Sequence, residues 1–189
     1  LPESVSGSKA FVQRHEQSDV PVIVVNQHHN GERQRFTLAH ELAHLVLRFS
    51  DLSDAEQEKA ADRFAGAFLM AKDMMLRLLG SHRTSISLGE LAELKKLFKV
   101  SIASLVVRCS QLGVLSKAVY GRLWSQIRGL GWNGPASSEP NPLPPEVPLR
   151  MERMCMRAVA EGAISEAKAA ELLNISVREL DRRLMGQVA

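Results

Sequence analysis

His40-Glu41-Leu42-Ala43-His44 is the feature that most narrows what this chain can fold into. On an α-helix, residues four apart lie on one face, a turn apart. Two imidazoles so placed can reach one ion at about 2.0–2.1 Å. With this chain's histidine and glutamate content, an H-E-x-x-H is expected by chance only about 0.015 times. The flanking residues read as helix, because Leu38, Leu42, Leu45 and Phe49 recur at helical spacing between Thr37 and Phe49.

A catalytic zinc site commonly has three protein ligands and a water, so a third ligand is expected from a neighbouring element. Ser53 to Glu56 is an S-x-x-E start signal. It opens a helix to about Met70, and the short turn from Arg48 to Leu52 makes the two helices antiparallel neighbours. Glu58 is the best-placed ligand there, with Glu56 and Asp51 as fallbacks. Asp62, one turn beyond Glu58, suits the acceptor for the spare N–H of a ligating histidine. Glu41, next to His40, can take a proton from an activated water and pass it to a leaving amine. Zn²⁺ is the expected ion. Mn²⁺ or another divalent ion stays open, because two histidines and a carboxylate are not metal-selective. Ala61, Phe64, Ala65, Phe68 and Leu69 make the core-facing stripe of the second helix.

Strand-like residues come first. Lys9 to Gln13 is short and mixed, and Val20 to Val25 is a β-branched run expected to be a buried strand. Asn30-Gly31 marks a turn. Further helices are expected over Leu88–Phe98, opened by Ser87, and over Ser101–Leu112 and Ser116–Arg128. Six of the eight prolines fall between Pro135 and Pro148. That stretch is a linker or surface strap, dividing a body (1–132) from a tail (150–189) across residues 133–149. The tail shows helical stretches near 150–161, 166–173 and 177–185. Strands first and helices afterwards indicate an α+β fold.

Composition excludes several classes. With 24% charged and 45% hydrophobic residues the chain is globular. A net charge of +3 is too small to indicate nucleic-acid binding by itself. No apolar run reaches a membrane span, and the first residues lack the apolar core of a secretory signal. Cys109 and Cys155 stand far apart and read as spare thiols of a reducing cytoplasm.

The stretch R-Q-R-F-T-L-A-H-E-L-A-H-L-V-L, followed by E-K-A-A-D-R-F-A-G-A-F-L-M, resembles the ImmA/IrrE family of zinc-dependent endopeptidases. V-P-V-I-V-V-N is similar to that family's strand before the active-site helix, and the likeness runs closely over about residues 5–130. It implies a small antiparallel sheet packed on the H-E-x-x-H helix in a gluzincin-like way, followed by an all-helical C-terminal part. It also implies His40, His44 and Glu58 as ligands and Glu41 as catalytic base. Three positions depart from the pattern: Ala43 for a frequent Gly, Asp62 for Asn, and Ala71 for a familiar Pro. Family members are typically cytoplasmic and cut helix-turn-helix repressors in stress or mobile-element programmes. Many carry an N-terminal helix-turn-helix domain, and a first residue other than Met fits the removal of one.

Other residues carry less. His15, His28 and His29 read as exposed turn residues. His82, on an expected loop, and Tyr120 are weaker options for stabilising a developing oxyanion. Met70, Met74 and Met75 read as core filler. A neighbour of the Val20–Val25 strand offers a free edge where a substrate backbone can add. In the tail, Ala170, Asn174 and Leu180 have helix-turn-helix spacing. Glu179 and Asp181 among Arg178, Arg182 and Arg183 weigh against direct DNA contact. A similar pattern at Leu91–Leu105 has Lys99 where a turn Gly or Asn would help. The reading is therefore a zinc peptidase acting on a protein, most plainly a DNA-binding repressor. The competing reading is a metal-binding regulatory module that binds a repressor or DNA without cutting it.

Overall fold

The structure is a computed structural model, and it describes residues 5–14, 17–134 and 139–186. His15 lies outside them. Among the described residues a two-stranded antiparallel sheet, β1 (Gly7–Arg14) and β2 (Gln17–Val25), precedes nine helices, which is an α+β arrangement. The chain divides into Leu1–Glu146 and Val147–Ala189. Among the described residues no helix is long and apolar enough to cross a membrane.

In the hairpin, Gly7 pairs with Val25 and Ser8 with Val24. Val20 and Val24 are exposed, against the expectation of a buried strand. Among the described residues only α1 (Gly31–Val46) packs on this two-stranded sheet, which leaves its other face uncovered. α1 begins six residues before Thr37. Asn30 is its N-cap rather than part of a turn, and its side chain accepts from Arg33 N at 3.0 Å. Gly31 is required by close approach, since a Cβ there would stand 2.6 Å from the Pro144 carbonyl oxygen. The helix ends before Phe49.

The leucine stripe of α1 is not its buried side. Leu38 is exposed, whereas Glu32, Gln34, Thr37, Ala39 and Ala43 are buried. Gln34 is tolerated there because both ends of its amide are paired. Gln34 donates to Asn26 O at 3.2 Å and accepts from Glu146 N at 2.6 Å.

α2 (Asp54–Leu69) opens at Ser53, whose backbone N donates to Glu56 at 3.0 Å. Ala61 and Ala65 are buried, but Phe68 is exposed and stacks on Phe64 instead of joining the core. The chain then breaks at Met70 and re-enters α3 (Lys72–Leu79), a helix the sequence reading passed over. No proline is needed for this break: Arg108 Nε donates to Met70 O at 3.1 Å, engaging the carbonyl where the helix stops. Met70 and Met75 are core residues, while Met74 is exposed.

α4 (Leu88–Phe98), α5 (Ile102–Gln111) and α6 (Lys117–Gly129) start at Ser87, Ser101 and Ser116, each accepting a backbone N–H. They form the main core with Leu91, Leu105 and Ile127. Lys99 adopts the left-handed turn between α4 and α5 with φ 53°, despite lacking the usual side chain for it. Cys109 and Cys155 are buried free thiols, and burial pushes Cys109 up to about 11, which fits inert thiols.

Residues 139–146 of the proline-rich stretch belong to the first unit, as a strap on α1 rather than a free linker. Gly31 N donates to Leu143 O at 3.0 Å, and Leu143 N to Glu32 Oε1 at 3.0 Å. Lys95, 2% exposed, pairs with Glu32 and with Glu139 Oε2 at 2.9 Å. Glu139 also accepts from Ile102 N at the start of α5. One buried cation thus ties α1, α4, α5 and the strap together.

The second unit holds α7 (Arg150–Ala160), α8 (Glu166–Leu173) and α9 (Val177–Leu184) around Cys155, Ala169, Ala170 and Leu180. Asn174 makes the left-handed turn, so a helix–turn–helix is formed.

Breaking a buried ion pair by deleting one partner costs about 3–5 kcal/mol. Lys95→Met removes the cation that Glu32 and Glu139 share, and a loss of that order is expected. Both tryptophans, Trp124 and Trp132, lie in the first unit. Urea unfolding followed by tryptophan fluorescence therefore measures the loss. A midpoint unchanged from wild type would show that the ion cluster contributes nothing.

Candidate metal centre

His40 and His44 project from the same face of α1, and Glu58 reaches them from the first half of α2. The two helices pack against each other. Ala43, Ala61 and Ala65 are fully buried, and such small residues let helices approach closely. Three side chains converge: His40 Nε2 lies 3.2 Å from His44 Nε2 and 3.1 Å from Glu58 Oε2, and His44 Nε2 lies 3.2 Å from Glu58 Oε1.

This donor set fits a metal ion. Tetrahedral ligands held at about 2.0–2.1 Å stand about 3.3 Å apart, close to the spacing of the triangle. The donors are two imidazoles and a carboxylate, within 4.8 Å of one another. Asp62 Oδ1 accepts from His40 Nδ1 at 2.9 Å. That bond puts the ring proton on Nδ1 and leaves the Nε2 lone pair directed into the triangle. The same bond raises the His40 pKa, with lesser contributions from the charges of Asp62, Glu58 and Glu41, against the lowering effect of burial. The His44 ring also stands against Phe49, centroids 5.5 Å apart.

The fallback ligands are elsewhere. Glu56 is engaged by Ser53, whose hydroxyl and backbone N–H hold its carboxyl below the usual range. Asp51 is exposed in the turn before α2 and is not in the cluster.

Glu41 lines a cleft of about 340 Å³ with His40, Asp62, Phe36, Ser6 and Gly7. The far wall is set by the chain entering β1. Asn26 N donates to Ser6 O at 2.9 Å, and the Arg33 guanidinium donates to Ser6 Oγ at 2.6 Å. The backbone then passes so near α1 that a Cβ on Gly7 would sit 2.4 Å from Thr37 Cγ2 and 3.4 Å from Glu41 Cγ. Gly7 was not singled out by the sequence reading. A lone glycine before a strand carries no signal without knowing which helix the strand crosses.

His82 is exposed on the loop between α3 and α4, and Tyr120 stacks on Trp124 at 5.7 Å. Neither is among the residues lining the cleft. His28 and His29 sit in the turn before α1, apart from the ligand cluster. In the tail, Arg182 pairs with Glu179, and Arg183 with Glu179 at 3.0 Å and Glu152 at 2.9 Å. The second helix of that helix–turn–helix thus offers phosphates little unpaired charge.

A family model described as the IrrE N-terminal-like domain, Peptidase M78, matches residues 4–110. No curated protein and no solved structure gave a match.

Asp62 is expected to act on metal affinity through His40. Such supporting carboxylates typically contribute 10–100-fold. Asp62→Ala should weaken zinc binding by about that factor in competition with a chromophoric chelator, with the helical circular dichroism unchanged. His44→Ala should abolish binding. Equal affinity in Asp62→Ala and wild type would remove Asp62 from the site.

Proposed function

Because the chain belongs to the IrrE N-terminal-like domain family of peptidases, we propose that it is a zinc-dependent endopeptidase whose working groups are His40, Glu41, His44, Glu58 and Asp62. The observation that carries this reading is the convergence of His40, His44 and Glu58 beside a cleft lined by Glu41. The two-stranded sheet on α1 is read as gluzincin-like packing.

His40, His44 and Glu58 would hold the ion, and Asp62 would keep the His40 ring in the ligating tautomer. Zinc, when bound, supplies a Lewis acid that polarises a carbonyl and lowers the pKa of a water. Glu41 has no ion pair among the described residues, so its carboxylate is available to take the proton from the attacking water. It then returns that proton to the nitrogen of the leaving amine. A Cβ at position 7 would stand 3.4 Å from Glu41 Cγ, so glycine there leaves the Glu41 stem its room. Ser6 and Gly7 also line the cleft, so a substrate backbone adding to the β1 edge would run past Glu41.

Membership of a peptidase family supports a protein substrate, and we read it as a helix-turn-helix repressor cut at few sites in the cytoplasm. The pairing of Arg182 and Arg183 favours a protein partner over DNA for the tail.

Glu41→Gln keeps the size of the side chain and the metal ligands while removing the base. General acid–base groups contribute about 10²–10⁴-fold. Cleavage of candidate repressors, read by mass spectrometry with and without chelator, should fall by that factor in Glu41→Gln, with zinc content unchanged. Biological activity retained in Glu41→Gln would favour the non-cutting regulatory module instead. Turnover of small amides but of no repressor would move the substrate outside proteins.

A further inference from the structure

A second chamber of about 410 Å³ adjoins the cleft, sharing Phe36 and Asp62 with it. Its remaining walls come from α2 and α5, chiefly Gly66, Val107, Arg108 and Gln111, and from Trp124 of α6. Val107, Trp124 and Phe36 make it apolar for most of its surface, which suits the stem of a side chain.

Arg108 is the exception. It is 8% exposed, yet among the described residues no carboxylate pairs with it. Nε donates to Met70 O at 3.1 Å, and one η nitrogen reaches Gln111 Oε1 at 3.5 Å. A guanidinium has five N–H groups, so these contacts leave most of the outer fork open. A buried cation is normally paired, because desolvation without a counter-charge is costly. Here the neighbouring charge has the same sign: burial first, and then Arg63, lower the Arg108 pKa. The guanidinium stays protonated at any working pH all the same. Asp62, the acid of the chamber, is turned to the His40 ring.

We propose that this chamber is the specificity pocket of the cleft and that Arg108 selects peptide substrates carrying an acidic side chain near the scissile bond. The apolar walls take the side-chain methylenes. The open fork of Arg108 donates to the carboxylate, a geometry guanidinium and carboxylate share. The inference rests on the peptidase reading above. Gln111 sets the selectivity by being an amide: a carboxylate at that position would satisfy Arg108 from within the chain.

Gln111→Glu tests this without disturbing the fold, since Gln111 is exposed and the change preserves shape. The zinc-loaded protein is given a randomised library of peptides with amidated C-termini, and products are sequenced by mass spectrometry. Matched peptides differing only by Glu or Gln at the selected position are then compared. Wild type should favour Glu by about 10- to 100-fold in kcat/KM, the range expected for a charge-assisted hydrogen bond. Gln111→Glu should bring that ratio near one, with an unchanged melting temperature. A wild-type ratio near one, or the same preference in Gln111→Glu, overturns the proposal while leaving the peptidase reading intact. Free-acid peptides form a further arm. Preference for them alone, with no gain from an interior Glu, would mean that the chain terminus is read and would overturn the side-chain assignment. Should wild type cut nothing, the peptidase reading fails separately. Capture from the uncut randomised library by zinc-loaded Glu41→Gln then decides the pocket: enrichment of Glu over Gln peptides, lost in Glu41→Gln/Gln111→Glu, supports it, and equal capture overturns it.

Discussion

The close approach of α1 and α2 is the constraint on which the site depends. Glu58 can touch both imidazoles only if the helices pack at alanine distance. Ala43, Ala61 and Ala65 are buried without exposure, so a larger side chain at any of them would have to push the helices apart. With Ala at position 43 the triangle of nitrogens and oxygens closes to 3.1–3.2 Å. The Asp62–His40 bond acts at the same contact, orienting one ring from the helix that supplies the third ligand.

A second constraint holds the surroundings in place. Lys95 lies deep between Glu32 of α1 and Glu139 of the strap, and Glu139 engages the first backbone N–H of α5. Such a cluster contributes little net stability over an apolar replacement, but its loss is costly and its geometry is demanding. It fixes α5 relative to α1. Because α5 carries Arg108 and Val107, the position of the second chamber follows from that buried cation as much as from the helices lining it. Arg108 is used twice, stopping α2 at Met70 and walling the chamber.

Much of the local structure was legible. Ser87, Ser101 and Ser116 mark helix starts because a hydroxyl accepting a backbone N–H works within a few residues of chain, and Ser53 because its hydroxyl and N–H both reach Glu56 three residues on. The spacing of His40, His44, Glu58 and Asp62 was readable for the same reason, since one turn of helix is a fixed length. Less legible were features whose cause lies far along the chain. The Leu38 stripe looks like a core face until Glu32 and Gln34 find partners more than a hundred residues away, in Leu143 and Glu146. α3 has weak start signals, and its beginning is set by Arg108. The proline-rich stretch reads equally as linker or strap, and only its bonds to Gly31, Glu32 and Gln34 make residues 139–146 a strap.

By itself the sequence determined which groups can ligate and which can accept a proton, because residue type and helical period are local properties. It also determined where most helices begin. The tertiary structure decided which of Glu58, Glu56 and Asp51 reaches the imidazoles, that Gly7 must be a glycine, and that Arg108 faces a chamber without an acidic partner among the described residues. Each of these depends on the distance between two elements. That distance is the outcome of packing and of buried charge over the whole first unit, and no short window of residues contains it.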